Sequence, residues 1–411
     1  MDTLWTRDFK LIFSGTVISA MAGQAMQLPL SLMTFANTGS LLKSSYLMIL
    51  AMLPNLILPL LVSPFVDRAP KKYIIVALDY LMALTFFFFA YLTRGGFVYS
   101  HYLALAFLVG SNSAVYMIAY QAWYPLLIPK GHMQKGYAVS STLYPTIMMV
   151  MAPISAFMYK SIPMHYLFIL VGVLCTLAAT AETFIDNQGK TPGHDMDFTA
   201  FFKDMKEAVT YLKKEKGLLN IYSYMSLSSG VAMAGQLYIQ VFFQKSLILG
   251  VTKLGFLTTA ETLGRALGGL VQYKVNIPPK KRFPITQFVY YCYDILDIML
   301  LFLCYPLMLI NRFVAGSLGV TSATLRETSV QAYLPPRLRA KVLAFAQMAS
   351  SFSMVIFQFF GGWLGDLIGP RKSMVILSFF LLLMIFVFIT LPQATNKKVY
   401  TATDEDALRA F

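Results

Sequence analysis

Charge is what this sequence lacks most: only 13% of its 411 residues are Asp, Glu, Lys or Arg, about half of the roughly 25% in a soluble globular chain. That shortage excludes an ordinary water-facing surface. Cysteine is nearly absent. Cys175, Cys292 and Cys304 stand singly inside long apolar runs, with no ligand spacing and no disulfide framework. The four histidines, His101, His132, His165 and His194, lie apart at run ends or in loops. This excludes a metal triad or a nucleophile–base arrangement. No Gly-x-x-x-x-Gly-Lys-Ser/Thr loop occurs, so ATP is not the evident energy source. The short alternating segments of a membrane β-barrel are missing too. Because a long apolar run follows Met1-Asp2 closely, no cleavable leader is expected. Nothing indicates an enzyme.

Apolar length is what the chain has in abundance: 57% of its residues are hydrophobic and its mean hydropathy is +0.62. About 20 apolar residues cross a bilayer as a helix. Breaking the hydropathy at charged or Pro/Gly-rich connections predicts spans over 9–36, 44–66, 73–93, 98–127, 136–159 and 164–185 in the first half. The second half gives 218–244, 253–273, 284–304, 306–331, 341–364 and 373–392. The net charge of +14 is spread between these runs rather than on one basic face, which points to membrane orientation and not to nucleic acid. With the N-terminus inside, the inner connections hold Arg7, Lys10, Arg68, Lys71, Lys72, Lys130, Lys135, Lys280, Lys281, Arg282, Arg337 and Arg339, whereas the outer ones hold few bases. Both termini are therefore expected in the cytoplasm of a multi-pass protein of the cell's plasma or inner membrane.

The longest polar stretch, 186–217, divides the spans six and six. Its Phe198, Phe201, Phe202, Met205, Val209 and Leu212 recur at helical spacing opposite Lys203, Asp204, Lys206, Glu207, Lys213 and Lys214, which predicts an amphipathic helix on the inner membrane face. The expected domains are a bundle over 1–185, this linker, a bundle over 218–393 and a polar, mobile tail over 394–411. The junctions Gln121-Ala-Trp-Tyr-Pro and Gln331-Ala-Tyr-Leu-Pro, each followed by a basic loop and a small-residue helix, occupy corresponding places in the two halves. They read as a parallel repeat.

After the second span comes Ser63-Pro-Phe-Val-Asp67-Arg68-Ala-Pro-Lys71-Lys72. It resembles the Gly-x-Leu-Ala-Asp-Arg-x-Gly-Arg-Arg loop of the major facilitator superfamily, with Ser63 and Pro70 replacing the glycines. The resemblance implies an all-α membrane protein of twelve transmembrane helices in two six-helix bundles. It also implies that Asp67, Arg68, Lys71 and Lys72 act as a cytoplasmic gate latch, with Asp79 its expected partner. An acid beside three bases can hold and release a neighbouring helix through charged hydrogen bonds. Further features resemble the drug:H+ antiporter branch that includes macrolide-efflux and enterobactin-exporter proteins. These are Asp79 itself, Phe201-x-x-Asp-Met-Lys-Glu-Ala-Val209, Thr259-Ala-Glu261, and Gly361-Gly-Trp-Leu-Gly365.

Ionisable residues at membrane depth are functional candidates, because an unpaired buried charge is costly. Glu261, Asp294 and Asp297 are candidate proton carriers, with Arg265 and Arg312 as their bases. Glu261 and Arg265 stand at i and i+4, and Asp294 and Asp297 share a face at i and i+3. With Asp79, the acids outnumber the bases four to two, which gives a basis for proton coupling; static pairing is the alternative. Glu261 is the first choice for the coupling acid. Arg312-x-x-x-Gly316-x-x-Gly319 resembles the family's arginine–glycine motif, moved from the fourth span to the tenth.

In this superfamily the first, fourth, seventh and tenth spans line the cavity. Here they supply Gln24, Gln27, Asn112, Tyr116, Tyr120, Tyr222, Tyr224, Gln236, Gln240 and Asn311, an adaptable lining suited to amphipathic molecules. The expectation is a monomeric secondary transporter that exports a macrolide-like or other amphipathic small molecule, using protons and no cofactor. The alternatives are a siderophore, lipid or metabolite as cargo on the same fold, or a non-transporting receptor or scaffold.

Overall fold

The computed structural model describes residues 4–402 apart from 130, 187–197, 247 and 276, and, within helices, not the side chains of 60, 63, 64, 67, 134, 138, 141 and 198–202. Among the described residues all regular structure is helical, as the hydropathy requires. In hydrocarbon a backbone must satisfy its own N–H and C=O groups, and a helix does so within one segment. The helices are α1 (Arg7–Thr38), α2 (Leu41–Arg68), α3 (Lys71–Leu92), α4 (Tyr99–Leu127), α5 (Met133–Ser161), α6 (Met164–Thr183), α7 (Phe198–Lys214), α8 (Lys216–Lys245), α9 (Gly250–Lys274), α10 (Pro279–Leu300), α11 (Tyr305–Tyr333), α12 (Pro336–Ile368), α13 (Pro370–Ile385) and α14 (Gln393–Thr401). A π turn, Phe386–Thr390, continues α13.

Local chemistry sets the ends. Thr6 caps α1 by accepting the Phe9 N–H, and Ser40 caps α2 by accepting that of Lys43. The chain leaves α1 through Gly39, whose φ of 66° needs a residue without Cβ and lets its N–H close on the Phe35 carbonyl. Pro279, Pro336 and Pro370 open α10, α12 and α13, where the missing N–H would have no helical partner. Many hydroxyls inside the helices donate to their own backbone, as Thr34 does to Leu30 O and Thr85 to Leu81 O.

Among the described residues, eight helical stretches are long and apolar enough to cross a membrane: α1, 41–59 of α2, α3 with the turn that follows it, α4, 135–161 of α5, α6, α12, and α13 with its π turn. The other four predicted spans, α8 to α11, are as long but more polar, carrying Glu261, Arg265, Asp294, Asp297, Arg312, Arg326 and Glu327 among them.

The chain forms two compact units, one of Met1–Met196 with Gly250–Gly255, the other of Asp197–Leu249 with Phe256–Phe411. The first has two apolar cores. One gathers Met26, Phe86, Phe89, Tyr102 and Phe168; the other gathers Phe9, Ile12, Ile75, Trp123 and Tyr124. Helices α2 and α4 meet closely at Gly110, where an added Cβ would lie 2.2 Å from the Ala51 carbonyl oxygen. The second unit packs Leu218, Ile221, Tyr290, Val342 and Ile385 together.

Two polar segments differ from expectation. The amphipathic helix of the linker forms as α7, but its Ala208 and Leu212 are buried in the core of the second unit, so protein covers this part of its apolar face. Lys341 on α12 lies 2.6 Å from both Asp204 and Glu207, and Arg337 lies 3.3 Å from Glu207. The predicted Phe198, Phe201 and Phe202 contacts lie outside the described side chains. The tail, expected to be mobile, folds as α14 over Gln393–Thr401 and buries Asn396, Val399 and Tyr400; residues 403–411 lie outside the described residues.

Replacing Gly110 by Val should lower the stability of the first unit by about 1–3 kcal/mol, the usual cost of overpacking, read as a lower melting temperature of the detergent-solubilised protein. The hydrogen bond from Lys341 holds the Glu207 carboxyl below the usual carboxylate range. Its contribution is therefore present above the ordinary carboxylate pKa and lost as the pH falls through the lowered value. The protection of α7 amides relative to their intrinsic exchange rate should fall in acid, and Glu207→Gln should remove the part of that fall that this contact causes.

Candidate functional site

Four charged side chains predicted from the sequence meet in the second unit. Their meeting depends on glycine. A Cβ at Gly264 on α9 would lie 2.0 Å from the Phe313 carbonyl oxygen, and one at Gly316 on α11 would lie 2.1 Å from that of Glu261. Only bare backbone lets α9 and α11 approach so closely. At that crossing Glu261 accepts from Arg265 at 2.7 Å and lies 3.9 Å from Arg312 Nη1. Nη2 of Arg312 donates to Asp297 on α10. The Arg312 side chain is only 5% exposed, so its charge is compensated by these two acids rather than by water. Gly316, the first glycine of the arginine–glycine motif, is thus the seat of the helix that carries Glu261.

Two acids face two bases here, so the cluster is balanced. Glu261, expected as the coupling acid, is held by Arg265 and Arg312. Asp294, one helical turn before Asp297, is outside the cluster. It is buried on α10, and its Oδ2 has no hydrogen-bond partner among the described residues.

The predicted latch lies in the first unit, at the end of α2 and the start of α3. Lys72 donates to the Ile185 carbonyl at 2.6 Å, tying the start of α3 to the end of α6. Lys71 is fully buried and Arg68 is exposed. The Asp67 side chain lies outside the described residues. Asp79 turns towards α1 and α6: its Oδ2 accepts from Ser19 at 2.9 Å, and its carboxyl lies beside that of Glu182.

Sequence reading missed Glu182. It also passed over Arg326 and Glu327 on α11. Arg326 is mostly buried beside Tyr290 and Tyr400, with Nη2 3.1 Å from Glu327 and Nη1 3.1 Å from Met225 Sδ. All three stand near span ends, where a charge looks ordinary. The one sequence signal for Glu182 is its place inside the predicted sixth span, 164–185, and it becomes telling only beside Asp79.

The predicted cavity residues divide. Gln27 and Gln236 are exposed, and Gln24, Asn112 and Tyr222 half-buried. Tyr116 and Tyr120 are buried, their rings stacked at 6.0 Å, and Tyr224 is buried against Tyr290. Gln240 is buried, and Asn311 is buried with its amide donating to the Leu296 carbonyl at 2.9 Å. Among the described residues no group of His, Cys, Asp and Glu could hold a metal ion.

Arg312→Ala should destabilise the second unit by about 1–3 kcal/mol, because it leaves the half-buried Asp297 without its charged donor while Glu261 keeps Arg265. Adding Asp297→Asn should recover part of the loss in a double-mutant cycle of melting temperatures.

Comparison with known proteins places this arrangement. The model of the Major Facilitator Superfamily matches residues 12–291 and 295–409. Macrolide efflux protein A of Streptococcus pyogenes is 22% identical over 280 residues, which are 65% of this chain and 66% of that protein; the match thus spans just under two thirds of the relative's length. Among solved structures, a bacterial homologue of the lysosomal transporter Spinster superposes with a TM-score of 0.72 at 12% identity, covering 97% of this chain and 99% of the other. The nucleoside transporter NupG (D323A mutant) gives 0.71 at 11% identity, covering 94% and 99%. A POT family transporter gives 0.69 at 10% identity, covering 94% and 96%. At these identities the structures speak for the fold, and the family match for the lineage: the chain is a multi-pass membrane transporter of the Major Facilitator Superfamily.

Proposed function

We propose that the protein exports an amphipathic small molecule, macrolide-like or of similar character, in exchange for protons, by alternating access and without a cofactor. The observation that carries the proton part is Asp294: a carboxyl buried on α10, without a hydrogen-bond partner for Oδ2 among the described residues, next to a cluster whose bases are already matched by Glu261 and Asp297. A carboxylate left over at membrane depth is neutralised most cheaply by a proton. The likeness to Macrolide efflux protein A supports the cargo and the outward direction. The amides of Gln24 and Gln27 on α1, half-buried and exposed, are suited to a weakly polar ligand that hydrogen-bonds at few points. The charge bias of the connections supports cytoplasmic termini in a plasma or inner membrane. A monomer carries one complete pair of units and needs no second copy for this scheme.

Expression in a drug-sensitive host should reduce accumulation of a macrolide or a lipophilic dye, and a protonophore should abolish the reduction. Asp294→Asn should return accumulation to the level of cells without the protein while ligand binding to the purified variant persists. Efflux that ignores the protonophore would remove proton coupling, and a growth-inhibition panel with no protected compound would remove the drug cargo.

A further inference from the structure

Outside the cluster of the second unit, the first unit contains an ionisable site that neither the latch nor the export scheme uses. Asp79 on α3 and Glu182 on α6 lie with their carboxyl groups side by side. Both are buried, Asp79 to 4% and Glu182 to 0% exposure. Every neighbouring helix contributes a neutral group. From α1, Ser19 donates to Asp79 at 2.9 Å, and Gly15 leaves the space that Glu182 fills, since a Cβ there would lie 2.6 Å from Glu182 Oε1. From α4 the hydroxyl of Tyr116 faces Glu182. From α5 comes Tyr144, and from α6 itself Cys175. Among the described residues no Lys or Arg is placed against either carboxyl. Lys72, seven residues before Asp79, is committed to the Ile185 carbonyl and stands about 10 Å further along α3 at 1.5 Å per residue.

An acidic pair alone says little, but this one has unfilled valences around it. Neither Glu182 oxygen has a partner of good hydrogen-bond geometry, and nor does the Tyr116 hydroxyl, although that side chain is 8% exposed and aimed at the carboxyl. Two carboxylates this close in apolar surroundings, with no cation beside them, repel each other and lack the solvation that would hold both charges. A single proton removes the repulsion and supplies an O–H donor between two acceptors, a strong charge-assisted bond.

We propose that Asp79 and Glu182 form a second proton-binding site, holding one exchangeable proton between them at neutral pH, with Ser19 and Tyr116 as its neutral donors. When the proton leaves to water, the O–H bond of the shared carboxyl breaks and its electron pair stays on oxygen. Two anions then face each other at the junction of α1, α3 and α6, which drives those helices apart. Asp79 is thereby a proton ligand rather than a partner of the latch. The inference rests on the transporter fold alone and does not require Asp294 to be the coupling acid.

The test is infrared difference spectroscopy of the purified, substrate-free protein in nanodiscs, between neutral and alkaline medium. The wild type should show the C=O stretch of a protonated carboxyl that disappears on alkalinisation, and Asp79→Asn/Glu182→Gln should lack that component, while Asp294→Asn retains it. Gly15→Ala keeps both carboxyls but displaces Glu182, and Ser19→Ala removes a donor; each should shift the band, which keeps the test decisive if the double variant does not fold. Identical bands in the wild type and the double variant, no shift in either single variant, or a band removed by sodium at constant pH would overturn the proposal. Loss of efflux with the band intact would count against the export reading and leave this one standing.

Discussion

A bilayer offers no water to a buried charge, and the arrangement of this protein's helices follows from that constraint. Each Lys, Arg, Asp or Glu placed among the spans must find its counter-charge or its proton inside the protein. Arg312 finds Asp297 and Glu261. It reaches Glu261 because Gly264 and Gly316 let α9 and α11 approach until a methyl group would not fit between them. Packing and electrostatics are therefore one problem here. Removing the glycines would separate the charges, and removing the charges would leave a close crossing of polar helices with nothing to repay it.

The two units meet the constraint in different ways. In the second, the charges are numerous and paired across three helices, and the helices that carry them are the least apolar of the predicted spans. In the first, ionisable groups inside the bundle are few and lean acidic: Asp79 and Glu182 sit among hydroxyl groups and a thiol. A paired cluster resists change, because breaking one contact strands another charge. A carboxyl without a base responds to its proton instead. Among the described residues no base stands against Asp294 in one unit or against the Asp79–Glu182 pair in the other, and these are the groups proposed to respond to a proton.

Much of this was legible in the sequence. Hydropathy located the long helices, since a 20-residue apolar run has few alternatives, and the Asp67 to Lys72 loop identified the superfamily. Charge spacing anticipated the Glu261–Arg265 contact, because i and i+4 side chains lie on one face of a helix. Three things were not legible. The partner of Arg312 depended on which helices cross at Gly316, a tertiary fact that no local pattern carries. Glu182 stood at a span end, where a charge is unremarkable until Asp79 is seen beside it. The tail looked solvated because its residues are mostly polar or small, yet Asn396, Val399 and Tyr400 give it one buried face. Tyr116, Tyr120, Tyr224 and Asn311 were assigned to a cavity from helix number alone; that they are buried in this conformation depends on the rotation of each helix about its axis, which no local pattern carries.

In the proposed cycle, movement of a small molecule is tied to movement of protons through carboxyls beside which no base stands among the described residues. Purified protein in liposomes, with a pH-sensitive dye trapped inside and a macrolide or lipophilic cation added outside, tests it directly. Proton flux should start on addition of the substrate, run opposite to it, and disappear in a variant lacking the Asp294, Asp79 and Glu182 carboxyls together. Substrate movement with no proton flux, or proton flux unchanged in that variant, would contradict it.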